Sequence, residues 1–187
     1  MSRLVSGATV AAALGCGLVA GVFFAFSTFV MPALSRVPAP TGIEAMQAIN
    51  VAAINTWLMG ALFGTAALCA GIAVSSLLRW SEPGAPLRFA ACATYLFGTI
   101  VVTAACNVPL NEALAPVHSA DVEAAHFWGR YLLEWTLWNH VRGLASFVAA
   151  ALFAVTLLSR RGSLSQETAH RGEQEDAVLT GVAHVEP

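Results

Sequence analysis

The sequence predicts an all-α membrane protein: a four-transmembrane-helix bundle with short interfacial helices on the outer side and a disordered C-terminal tail. Two observations carry this expectation. Four stretches hold no charged residue: Leu4 to Ser35, Ala45 to Leu78, Phe89 to Asn111 and Gly143 to Ser159. A helix needs about 20 mostly apolar residues to cross a hydrocarbon core of roughly 30 Å, and three of the stretches exceed that length. The fourth is shorter but gains length from the apolar, aromatic segment just before Arg142. Composition agrees: of 187 residues, 57% are hydrophobic and 11% charged, whereas soluble domains carry about 25% charged residues.

The elements follow in order. Helix one is expected from about Leu4 to Met31, ended by Pro32. Its apolar run far exceeds a signal-peptide core of about 7–15 residues, so it reads as a retained helix. Helix two is expected from about Ile54 to Leu78. The first carries Gly17-x-x-x-Gly21 and the second Gly60-x-x-x-Gly64, then Gly71. Small residues at spacing four let membrane helices approach closely. The two helices are therefore expected to pack against each other or against a second copy, and a homodimer is compatible with these faces. Between them, Thr41 with Glu44 three residues on reads as a capping box for a short helix. Helix three is expected from about Arg88 to Cys106, with a break near Pro109, because proline disfavours helical backbone at the preceding Val108. In the connection that follows, Asp121 is placed to cap a short helix carrying His126, Trp128 and Arg130. Helix four is expected from about Trp135 to Leu158. Residues 1–160 form one membrane domain; residues 161–187 are too polar to bury a core and are expected to be disordered.

The net charge of −2 says little about partners, but the sequence has no basic patch of the kind nucleic acid needs, so nucleic acid is not expected as a partner. The expected partners are the lipid bilayer and a lipophilic small molecule. Arg3, Arg79, Arg88, Arg160 and Arg161 fall at one end of the predicted bundle, and Arg36, Arg130 and Arg142 at the other. This bias favours cytoplasmic termini. The unusual residues then share the outer side: Phe26 to Pro32, Asn50, Asn55, Trp57, Asn107 to Asn111, and Trp135 to Arg142.

The last segment is the densest. On a helix, Tyr131, Trp135, Trp138 and Arg142 share a face, with Asn139 at its edge and His140 pointing elsewhere. Tryptophan and arginine at a membrane boundary also form ordinary interfacial belts. Asn139 and His140 beside them are less ordinary, because polar groups at that depth face the bundle interior and often mark function. Asn107 and Asn111 flank Val-Pro-Leu, placed either to satisfy backbone groups freed by the proline or to hydrogen-bond a ligand oxygen. Cys16, Cys69, Cys92 and Cys106 lie inside predicted spans and read as packing residues. Glu123-x-x-His126 has the spacing of half a di-iron site, but it occurs once and no carboxylate lies within a span. His118, His126 and His140 show no ligand spacing, so no metal is assigned.

Four segments carry a resemblance: Gly21-Val-Phe-Phe-Ala-Phe-Ser-Thr-Phe-Val-Met-Pro-Ala-Leu34, Gly42-Ile-Glu-Ala-Met-Gln-Ala-Ile-Asn50, Asn107-Val-Pro-Leu-Asn111, and Trp135-x-x-Trp138-Asn139-His140-Val141-Arg142. In this order they resemble the anthrone oxygenase-like family of small membrane proteins, in its bacterial type, over roughly residues 4 to 160. The resemblance implies a four-helix membrane protein and oxidation of an anthrone to an anthraquinone with molecular oxygen as co-substrate. It leaves open whether there is a resident cofactor.

The residues suggest a scheme for such chemistry. Trp135, Trp138, Phe26 and Met31 would form an apolar slot. His140 would be the base. Arg142 and Asn107 would stabilise the oxyanion, and Asn139 and Asn111 would orient the substrate. A different reading of the same residues is a non-catalytic membrane subunit that binds a lipid, a quinone-like molecule or a protein partner. Oxygen uptake separates the two. A small transporter is a third reading, which predicts flux without oxygen consumption.

Overall fold

The computed structural model describes residues 3–54 and 57–182, with side chains described from 4 to 159 outside that gap. Asn55 lies outside the described residues. All regular elements among them are helical. Four helices are long and apolar enough to cross a membrane: α1 (Leu4–Leu34), α3 (Trp57–Leu78), α4 (Ala85–Leu114) and α5, whose apolar part is Ala124–Ser159. A further helix, α2 (Ala39–Ile54), lies between α1 and α3 in the chain. Helix α1 packs on α3 and α5, and α4 packs on the same two, so the four spans close into a ring.

The bundle is apolar outside and partly polar inside. Leu14, Phe24, Phe97, Leu133 and Phe147 are exposed, while Thr9, Thr65, Thr99, Asn139 and Ser146 are buried. A helix that is hydrophobic on its exposed face suits lipid, and its polar residues then turn inward.

Two helices run on through a proline where an end was expected. In α1 a π turn spans Phe26–Val30, and the Met31 N–H bonds the Phe26 carbonyl five residues back. In α4 a π turn spans Thr103–Asn107, and the Val108 N–H bonds the Thr103 carbonyl. Pro32 and Pro109 each follow such a turn by two residues. Proline breaks an α-helix by removing a donor and crowding the carbonyl four residues back. A π turn widens the helix and shifts the pairing to five residues, which makes room for the ring. Val108 accordingly stays helical, at φ −61° and ψ −49°.

Other boundaries also differ from expectation. Helix α2 begins at Ala39, with Pro40 in its first turn, so Thr41 is not its cap. Glu44 instead accepts a hydrogen bond from the Ser119 hydroxyl at 2.6 Å. The segment read as a separate Asp121-capped helix is the start of α5, which runs unbroken from Ala124. Beyond Ser159 the backbone of α5 is helical to Val182.

Two apolar clusters fill the bundle. The larger joins Cys16, Val19 and Phe23 of α1, Leu62, Cys69 and Ile72 of α3, Tyr95 of α4 and Phe153 of α5. The second joins Met31 with Ile43 and Met46 of α2, Leu114 of α4, and Trp128, Tyr131 and Trp135 of α5. Helix α2 thus closes one end of the bundle. Gly42 makes its approach feasible, since a Cβ there would lie 2.8 Å from the Trp128 ring. The Gly-x-x-x-Gly pairs play no such part. An added Cβ at Gly17, Gly21, Gly60, Gly64 or Gly71 would meet nothing within 4 Å. Close helix contact occurs instead at Gly15 against Thr65 and at Gly98 against Ala145.

Candidate functional site

The site is built around one face of α5. Trp128, Tyr131, Trp135, Asn139, Arg142 and Ser146 recur at spacings of three and four, and all are buried. Asn139 holds the centre of this stripe, where Trp138 was expected. Trp138 lies at its edge, 37% exposed.

Arg142 is 6% exposed. Its Nε donates to Asn139 Oδ1 at 3.1 Å, and one terminal nitrogen reaches the Thr103 hydroxyl at 3.5 Å. Its guanidinium carbon lies 4.2 Å from the Phe23 ring centroid and 4.9 Å from that of Trp135. Cation–π contacts of this kind strengthen when water is excluded. No carboxylate among the described residues pairs with Arg142.

Asn139 orients that cation. Its amide nitrogen donates at 2.7 Å to the Phe23 carbonyl and at 2.7 Å to the Ser27 hydroxyl, which lies in the α1 π turn. Its oxygen is thereby left to face Arg142. Gly143 lets α5 lie close to α1 here, as an added Cβ would be 3.3 Å from Phe23 Cβ.

Helix α4 contributes three supports. Asn107, in the Thr103–Asn107 π turn, donates to the Trp135 carbonyl at 3.2 Å, and its buried Oδ1 has no partner among the described residues. Asn111 Oδ1 accepts from the Tyr131 hydroxyl at 2.9 Å and from Trp135 Nε1 at 2.8 Å. Thr99 and Ser146 bond each other at 2.8 Å, and Ser146 also donates to the Arg142 carbonyl at 2.8 Å. Two helices therefore clamp the turn of α5 that bears Trp135 and Arg142. Three π turns, Phe26–Val30, Leu96–Val101 and Thr103–Asn107, each supply a polar residue to this clamp (Ser27, Thr99 and Asn107), a use of π turns common at functional sites.

Arg142 and Trp135 form one wall of a cavity of about 470 Å³. Its other walls are mainly apolar, with Phe23 and Phe26 from α1, Ile54 from α2, and Leu62 and Phe63 from α3. Gln47, Asn50, Thr103, Asn111 and Glu112 add polar groups. A largely apolar cavity of a few hundred Å³ with a few convergent polar groups is the usual form of a small-molecule site.

The expected site residues divide into three groups. Arg142, Trp135, Asn111 and Phe26 line the cavity. Asn139 and Asn107 are fully buried and hold Arg142 and the Trp135 backbone. Met31 is buried in the outer apolar cluster, and His140 and Trp138 are exposed; none of these three lines the cavity. Phe23, Gln47, Thr103 and Glu112 were missed. Thr103 precedes Asn107 by one helical turn and Glu112 adjoins Asn111, so a helical α4 carried past Pro109 would have flagged both. The contributions of Phe23 and Gln47 depend on how α1 and α2 pack and leave no local signal. His118 and His126 are exposed, and no three His, Cys, Asp or Glu residues among those described are placed to share a metal ion. Cys16, Cys69 and Cys92 are buried free thiols, as packing residues would be.

A family model described as anthrone oxygenase matches residues 55–152. That match runs from α3 through most of the apolar part of α5 and includes Thr103, Asn107, Asn111, Trp135, Asn139 and Arg142. Neither the curated proteins nor the solved structures contain a match to this chain. The matched region covers more than half of the chain and carries the α4 and α5 parts of the clamp around Arg142, and on that basis the chain belongs to the anthrone oxygenase family.

Proposed function

We propose that the protein is a membrane-embedded oxygenase acting on a flat, lipophilic aromatic of the anthrone class, with molecular oxygen as co-substrate. One observation carries this reading: a desolvated arginine, with no carboxylate partner, faces an apolar cavity beside two aromatic rings. A buried charge left unpaired is costly, and it is retained where a ligand supplies the counter-charge. An anthrone becomes such a ligand when it loses a methylene proton, because the electron pair delocalises onto its oxygen. Arg142 stabilises that oxyanion as it develops. Trp135 and Phe26 offer ring faces for the aromatic skeleton.

The overall reaction balances with one molecule of oxygen. The methylene loses a proton, and its electron pair reduces oxygen as a carbon–oxygen bond forms. Loss of the second methylene hydrogen as a proton, with cleavage of the oxygen–oxygen bond, leaves the new carbonyl and one water. The protein's part is to bind the skeleton, stabilise the oxyanion and keep bulk water from the anion. A substrate that partitions into lipid suits a site at this depth. The arginine bias of the sequence supports cytoplasmic termini, which puts the cavity toward the outer leaflet.

The test is oxygen uptake by the detergent-purified protein with emodin anthrone, with metal analysis of the same sample. Uptake above the spontaneous rate is expected, falling by at least about 100-fold in Arg142→Ala. Arg142→Lys keeps the charge without the planar fork and is expected to recover only part of the rate. Binding of the anthrone without uptake would support the non-catalytic reading instead.

A further inference from the structure

We propose that Glu112 is the base that removes the substrate's methylene proton, an inference that rests on the oxygenase reading above. Oxyanion stabilisation at Arg142 needs a proton acceptor elsewhere in the cavity. His140 does not line it. Among the described residues that do, only Arg142 and Glu112 are ionisable, and of the two only the carboxylate has the chemistry of a general base.

Three features suit Glu112 to the task. Its carboxylate makes no hydrogen bond or ion pair among the described residues, so its lone pairs are available. The turn that bears it is braced on both sides. Asn111 accepts from Tyr131 and Trp135, and the Gln47 amide donates to the carbonyls of Leu114 and Val117, each at 3.0 Å. Glu112 is also exposed, unlike Arg142, and lies two residues from the end of α4, where the proton can pass to water at the membrane boundary after each turnover.

The two charges stand at different levels of the same cavity. Arg142 reaches Thr103, and Glu112 lies nine residues further along α4, roughly 13 Å of helix. An anthrone has its carbonyl and its methylene on opposite edges of the central ring. Bound between these groups, it turns its oxygen to the cation and its acidic carbon to the carboxylate. The carbon–hydrogen bond breaks, the proton goes to a Glu112 oxygen, and the electron pair moves through the ring to the oxygen facing Arg142. Oxygen then takes the electrons as described above.

The test separates proton removal from oxidation. Anthrone deuterated at the methylene is mixed with detergent-purified protein without oxygen, and loss of deuterium to solvent is followed. Binding is measured in parallel by equilibrium dialysis. The wild type is expected to speed the exchange above its spontaneous rate. Glu112→Gln should lose at least tenfold of that catalysed exchange and of the aerobic uptake while still binding the anthrone. Glu112→Asp should keep part of both. Catalysed exchange that survives in Glu112→Gln overturns the assignment and leaves the oxygenase reading standing, and its loss in His140→Ala instead would move the role to the imidazole. A wild-type protein that binds no anthrone overturns the oxygenase reading itself.

Discussion

At the residue scale the decisive side chain is Asn139. Its amide nitrogen is occupied by the Phe23 carbonyl and the Ser27 hydroxyl, so its oxygen can only face Arg142. An asparagine thus fixes a cation without neutralising it, which an aspartate could not do. Asn139→Ala would strip Arg142 Nε of its acceptor inside the bundle. Leaving buried polar groups unmade costs about 1–3 kcal/mol. A lower midpoint of thermal unfolding in detergent is expected, together with a loss of uptake greater than the stability change explains. Unchanged uptake at full stability would mean that Arg142 does not need this support. The periodicity of the segment was legible in the sequence, but its phase was not. Trp138 and Asn139 are neighbours, and a shift of one residue decides which of them faces the interior.

At the element scale the π turns and α2 shape the site. The π turns at Phe26–Val30 and Thr103–Asn107 each let a proline continue its helix and turn a polar residue, Ser27 or Asn107, into the clamp. Proline read as a terminator is a sound rule for α-helices; it failed here because the turn before each proline is not α. Helix α2 closes the cavity through two contacts, the face of Gly42 on Trp128 and the Gln47 bonds to the end of α4. Gly42→Ala would force a methyl into the indole, and overpacking of this kind costs about 1–3 kcal/mol. A lower unfolding midpoint and weaker anthrone binding are expected. Binding and stability equal to wild type would show that α2 can shift without opening the cavity.

At the scale of the whole molecule, four spans joined in sequence alternate in direction. The turn 79–84 between α3 and α4 must then lie on the opposite side of the membrane from the connection 115–123 between α4 and α5. Single cysteines introduced by Glu82→Cys and Asp121→Cys, in a background without the four native cysteines, should label from opposite faces with a membrane-impermeant thiol reagent. With cytoplasmic termini, Asp121→Cys labels in intact cells and Glu82→Cys only after the membrane is opened. Labelling of both from one side would rule out the four-span arrangement, and the reverse pattern would invert the orientation.

The sequence by itself determined the solvent, the number of spans and the residues worth watching at one end. Long charge-free runs can be stable only in lipid, and Asn, Trp and Arg at a membrane boundary stand out against them. Arg142, Trp135, Asn111 and Phe26 were legible for that reason. Helix phase already turned His140 away from that face, but only the tertiary structure decided that Trp138 faces away, that α2 folds over the cavity, and that Glu112 shares it with Arg142. These outcomes depend on helix phase and on contacts between residues distant in sequence. Local composition carries no record of either, because a rotation of about 100° per residue separates a cavity wall from a lipid face.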